Sequence, residues 1–132
     1  MTAKTLYITL CSGEHEKIHM AAMMASVAAV SGRKVELFVS MNAMYAFGRA
    51  TDPAKRYQGG PFSELMLEKK APDTLNLFSQ GKMLGDMKAY ACSMALDLLG
   101  WTPDDLVEDL FDGELGLTKF LSDAEEGDLI VV

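Results

Sequence analysis

The chain has 132 residues, 49% of them hydrophobic, and a formal net charge of −7. A single domain spanning 1–132 can bury about two-thirds of its unfolded surface at this size without disulfides or structural metal. Its two cysteines are too few for a disulfide scaffold. An acidic chain without a basic stripe is not expected to bind nucleic acid or an anionic membrane surface. No apolar run approaches the roughly 20 residues of a membrane span. Met1-Thr2-Ala3-Lys4 leads into an apolar stretch without a signal-peptide pattern, so a cytoplasmic setting with both thiols free is expected.

Thr5 to Leu10 is β-branched and aromatic, ends at Ser12-Gly13, and reads as a buried strand. Glu14 to Ser31 repeats Ile18, Ala22, Ala25 and Ala29 at helical spacing and stops at Gly32. Lys34 to Ser40 is a second strand, so the first three elements form a βαβ unit with parallel strands. Asn42 to Arg49 reads as a short helix or ordered loop. Gly48 to Pro61 lacks hydrophobic period and reads as a mobile loop.

Phe62 to Ala71 is a helix stopped by Pro72, and Asp73 starts another that reaches about Leu84. Met87 to Ala91 is the third strand, with Cys92 at its end and a helix from Ser93 to Leu99 following, closed by Gly100. Thr102-Pro103-Asp104-Asp105 carries a helix-start signal. It passes into Val107 to Phe111, read as a strand. Leu117 to Ala124 is a small helix. Asp128 to Val132 is a last strand whose continuous apolar run predicts burial on both faces. Strands alternating with helices imply an α/β fold, a three-layer α/β/α sandwich around a mainly parallel five-stranded sheet.

Ligands in such sheets sit beyond the carboxyl ends of the strands. Leu10-Cys11-Ser12-Gly13 and Tyr90-Ala91-Cys92-Ser93-Met94 both end strands, and right-handed crossovers should bring them to one edge. Cys92 precedes a helix, whose amides and dipole favour a thiolate and hence a nucleophile towards sulfur. The alternative is a small, inert, buried thiol. Cys11 is the second candidate; it could relay sulfur if its strand neighbours that of Cys92, or it is a packed core residue.

Gly85 to Met94, followed by Leu98-Leu99-Gly100, resembles the segment bearing the sulfur-carrying cysteine in DsrE/DsrF-like proteins. These are small proteins of the Dsr and Tus sulfur-relay systems. Lys34 to Phe47 is similar to the family's second strand and the turn after it, and the resemblance runs over nearly the whole chain. It implies a flavodoxin-like fold and homo-oligomeric assembly. It also implies transfer of sulfane sulfur, as persulfide or thiosulfonate, through Cys92. Partners would be sulfur-donor and sulfur-acceptor proteins or small sulfur anions, with no cofactor. The Gly48 to Pro61 loop and Ala43 depart from the family pattern, which leaves the substrate open.

Substrate contacts are expected from Ser12, Gly13, Asn42, Ser93 and Met94, with the backbone amides of the last two facing the thiolate. This reading needs Cys92 open to solvent at the sheet edge. His15 and His19 stand four apart on one helix, but without a third ligand they read as a solvated face, and no metal is expected. Arg49, Lys55 and Arg56 could attract a sulfur anion or be solvated charges. Ser12-Gly13-Glu14 lacks the spacing of a nucleotide fingerprint, so a flavin or nucleotide binder is the weakest alternative. The ten methionines fill the core or mark a subunit interface. An oligomeric scaffold with an inert cysteine is the competing class.

Overall fold

The computed structural model describes residues 3–132; Met1 and Thr2, read as part of the lead into the first strand, lie outside them. Strands β1 (Leu6–Leu10), β2 (Val35–Val39), β3 (Met87–Cys92), β4 (Gly113–Leu115) and β5 (Asp128–Val131) form one sheet. Helices α1 (His15–Val30), α2 (Pro61–Glu68), α3 (Thr74–Leu84), α4 (Ser93–Leu99) and α5 (Leu117–Ala124) connect them. The order is β4-β3-β2-β1-β5 and every pairing is parallel. All strand ends therefore reach one edge, as the crossover rule requires.

Helix boundaries follow local chemistry. Gly32, at φ 95°, takes the left-handed conformation that ends α1. The Asp73 carboxylate accepts from the Asn76 amide and starts α3. The Thr102 capping box forms, yet it starts only a 3-10 turn, Pro103–Asp105.

Strand alternation gives the sheet two faces. Leu6, Val35 and Met87 are lateral partners on one, and Met87 Sδ packs near α1 and α3 beside Gly81. Tyr7 and Phe38 lie on the other and both pack on Phe120 of α5, Tyr7 edge-on and Phe38 stacked.

Three readings are corrected. Val107 to Phe111 is irregular, with Asp109 at φ 60°, and the strand comes later, at Gly113–Leu115. Its apolar residues belong to the core through Leu110, without a ladder. The last strand is not buried on both faces: β5 is an edge strand paired only with β1, leaving Leu129 and Val131 43% and 70% exposed. Finally, the segment after Gly48 is pinned. Arg56 donates to the carbonyls of Ala46, Gly48 and Thr51, and Gln58 pairs with Gly13 and His15 through the backbone. Arg49 is held by the Leu106 carbonyl and by Glu108, so both guanidinium groups are engaged in holding loops.

Gly85 ends α3 directly against α1. A Cβ there would fall on the Ala29 carbonyl, a backbone group that cannot swing aside. Gly85→Ala should cost about 1–3 kcal/mol from overpacking, read as a lowered denaturant midpoint with an unchanged slope.

Candidate functional site

The register places three residues in a row at the carboxyl edge. Leu10 lies beside Val39, and Val39 beside Ala91, so the next row runs Cys11, Ser40, Cys92. The Ser40 amide donates to the Leu10 carbonyl, and that of Cys11 to Val132, which continues the ladder one step. All three share the face of Tyr7 and Phe38, the α5 side.

Strand β2 separates β1 from β3, so the condition for a direct Cys11–Cys92 exchange is not met. Two strand spacings put the Cα atoms about 10 Å apart, beyond the roughly 7 Å a disulfide tolerates. Both thiols are free.

Cys92 is 5% exposed and lines none of the described clefts, so the expected open thiol is instead covered. Packing of the adjoining core over the end of β3 accounts for this: Ala91, Ala95 and Leu96 are all buried. Two methionines near it in the chain stay exposed: Met94 at 49% and Met41, next to Ser40, at 58%. Cys92 is itself the N-cap of α4, and its side chain makes no cap hydrogen bond. The first-turn amides, including those of Ser93 and Met94, thus have no side-chain partner in the cap.

Cys11 is half-buried. Burial pushes its thiol above the ordinary range, and the charge of a Cys92 thiolate pushes it further. Ser12 accepts from the Glu14 amide. Gly13 abuts the Asn42 carbonyl and the Gln58 side chain. Asn42 is exposed. The expected substrate-contact residues thus surround the strand ends without converging on one cleft.

The deepest polar cluster lies elsewhere. His15 and His19 are 7% and 6% exposed, which overturns the reading of a solvated helix face. Their cover comes from α2, α3 and Tyr57, contributed by residues some forty to sixty positions away. Ser63 Oγ is 2.6 Å from His15 Nδ1, Thr74 Oγ1 is 3.2 Å from His15 Nε2, and Thr74 Oγ1 is 2.8 Å from His19 Nδ1. Tyr57 stacks on His15 at a centroid distance of 4.3 Å and an interplanar angle of 5°. Its Oη is buried without a hydrogen-bond partner. Burial pushes that hydroxyl up to about 12, with Asp73 adding to the rise and nearby Thr74 and Arg56 easing it.

A cleft of about 540 Å³ opens over this cluster. Ser63, Thr74 and Tyr57 were invisible as site residues because nothing in their local spacing marks them. Among the described residues no group of three or more His, Cys, Asp or Glu side chains could hold a metal ion. No helix among them is long and apolar enough to cross a membrane.

Two titrations check this geometry. Native alkylation of Cys11 by iodoacetamide should reach half-rate above the ordinary thiol value of about 8.5. Cys92→Ser removes one of its two causes and should move that midpoint down, as followed by peptide mass spectrometry.

Burial and then the His19 charge lower the His15 pKa, while Asp73 opposes them. The folded state therefore binds this proton less well than the unfolded one. Its stability contribution is complete above the unfolded value of about 6.5 and is lost as pH falls through the lower folded value. The Tm should fall on acidification over that window, and His15→Gln should flatten this fall.

Residues 54–132, more than half of the chain and including Cys92, match the model of the DsrE/DsrF/DrsH-like family. No curated protein matches the chain significantly. Among solved structures, a protein of unknown function from Methanobacterium thermoautotrophicum, MTH1491, is similar with a TM-score of 0.62 at 13% identity. The alignment covers 98% of this chain and 99% of that one, and at such low identity the likeness is one of fold. With the third strand, its terminal cysteine and everything that follows inside the matched region, the chain belongs to the DsrE/DsrF/DrsH-like family.

Proposed function

We propose that the protein is a sulfur carrier or sulfurtransferase that moves sulfane sulfur through Cys92. The observation that carries this reading is the position of Cys92 within the family-matching segment. It is the last residue of a parallel strand and the first before a helix, at the edge where open α/β sheets bind ligands. The cytoplasm is the proposed setting, with donor and acceptor proteins or small sulfur anions as partners.

In the loading step, Cys92 thiolate attacks the outer sulfur of a donor persulfide. A sulfur–sulfur bond forms on Cys92 as the donor's breaks, and the donor leaves as a thiolate. In unloading, an acceptor thiolate attacks the outer sulfur of the Cys92 persulfide and Cys92 is released as thiolate. Cys11, in the same row across Ser40, is out of reach of direct exchange with Cys92 and stands as the secondary site for sulfur brought by a partner. The free first-turn amides of Ser93 and Met94 are the proposed donors to the charged sulfur, and Gly13 and Asn42 the nearby wall. Access requires the packing over the end of β3, where Ala95 and Leu96 are buried, to open.

Self-assembly belongs to the same reading. Met20, Met23, Val27 and Val30 on α1 are exposed, and Met23 and Val27 flank an apolar hollow shared with Ile130. A second copy of the chain would cover that surface.

One observation favours the competing reading, an oligomeric scaffold with an inert thiol: Cys92 is 5% exposed. Intact-mass measurement after incubation with a persulfide donor or thiosulfate separates the two. The carrier gains sulfur on Cys92, reversibly with a thiol reductant, and Cys92→Ala loads markedly less. An unmodified mass, or equal loading of Cys92→Ala, leaves the scaffold.

A further inference from the structure

We propose that Ser63 and His15 form a nucleophile–base pair, a second reactive site that acts on small carboxylic esters. Ser63 Oγ lies 2.6 Å from His15 Nδ1, within the reach a general base needs. Direction in the network decides whether that contact activates the serine.

Thr74 Oγ1 touches both imidazoles and, with one proton and two lone pairs, can accept from His15 Nε2–H whether His19 Nδ1 accepts from it or donates to it. If the chain ran from His19 towards Ser63, the Ser63 proton would turn away from His15, into the clefts that Ser63 lines. Run the other way, Ser63 donates to His15 Nδ1, His15 Nε2–H donates to Thr74, and Thr74 donates to His19 Nδ1. The proton left over is then on His19 Nε2, which is not a buried unsatisfied atom and so reaches solvent. This second direction gives the Ser63 hydroxyl an acceptor inside the protein and pairs every proton between Ser63 and His19 Nδ1. It also leaves His15 Nδ1 as a free base aimed at the serine hydroxyl.

The surroundings suit a short acyl ester. Ser63 and His15 line both the cleft of about 540 Å³ and an adjoining one of about 440 Å³. Pro53, Met66, Leu67 and Pro72 supply apolar wall to the larger. Tyr57, on the same wall, stacks on His15 and fixes the plane of its ring. At the start of α2, Gly60 gives no side-chain cap and Pro61 has no N–H. The amides of Phe62 and Ser63 are therefore free of intrahelical partners at the nucleophile itself.

The chemistry balances with water as the only co-reactant. Ser63 Oγ attacks the ester carbonyl while its proton passes to His15 Nδ1. The carbon–oxygen bond to the leaving alcohol breaks, and that oxygen takes the proton from His15. Water then repeats the sequence on the acyl-Ser63, releasing the carboxylic acid and restoring the serine. None of these groups is used by the thiol row, so this site and the sulfur reading fail independently.

An alkyl fluorophosphonate tests the nucleophile: Ser63 forms the phosphorus–oxygen bond, fluoride leaves, and His15 takes the proton. The full-length protein should acquire one adduct, mapped to Ser63 by peptide fragmentation. Labelling should be at least ten-fold slower in His15→Gln of unchanged circular dichroism. Hydrolysis of p-nitrophenyl butyrate should fall at least ten-fold in Ser63→Ala. The proposal is overturned by a folded wild-type chain with no adduct on Ser63. It is equally overturned by an unchanged labelling rate in His15→Gln, or by ester hydrolysis that Ser63→Ala leaves intact. Because the adduct is mapped on the wild-type chain, the test survives variants that do not fold.

Discussion

Parallel pairing of β1, β2 and β3 is the constraint on which the remaining structure depends. Each crossover returns the chain to the same starting edge, so each strand delivers its last residue to the other. Cys11, Ser40 and Cys92 become lateral neighbours for this reason alone, although they lie far apart in the chain. The N-terminus of α1 leaves from that edge too, and His15 with it. A one-residue slip of β2 or β3 would turn its cysteine or serine to the opposite face and bury a different row.

Elements whose signals are local were legible in the sequence. Leu117–Ala124 forms as expected because its apolar residues fit a single helical stripe. The Asp73 cap and the Gly32 and Gly100 stops act within one turn, and each is where the residues place it. The last strand was recognised, but its surroundings were not. An apolar run says that a strand wants cover; whether it receives any depends on the strand order, which puts β5 at an edge. Val107 to Phe111 failed for a related reason. Its apolar residues are core residues, and local composition does not tell a buried irregular segment from a strand.

The candidate sites divide along the same line. Cys92 was found because a strand–cysteine–helix sequence is a local signal, and the family match includes it. Its burial was not, since that depends on how Ala95, Leu96 and the ends of other elements pack around it. The histidines show the opposite error. A pair at i and i+4 with no third ligand looks idle in isolation. Ser63 and Thr74 lie 48 and 59 residues from His15, and they convert an unremarkable helix face into a buried hydrogen-bonded chain.

The sheet keeps the two chemistries apart. Cys11 and His15 are four residues apart in the chain, yet Cys11 shares the parity of Tyr7, which packs on α5, whereas His15 opens α1 on the other face. Between them Gly13 is pressed against Asn42 and Gln58, and Gln58 pairs through the backbone with both Gly13 and His15. That short bridge sets the position of His15 and holds Tyr57 over it, because Tyr57 is the residue before Gln58. A Cβ at Gly13 would press on the Asn42 carbonyl and on the Gln58 side-chain amide, each 3.1 Å away. Gly13, two residues after the first cysteine, thus serves the histidine cluster through the backbone, and the thiol row owes its alignment to the strand ladder instead.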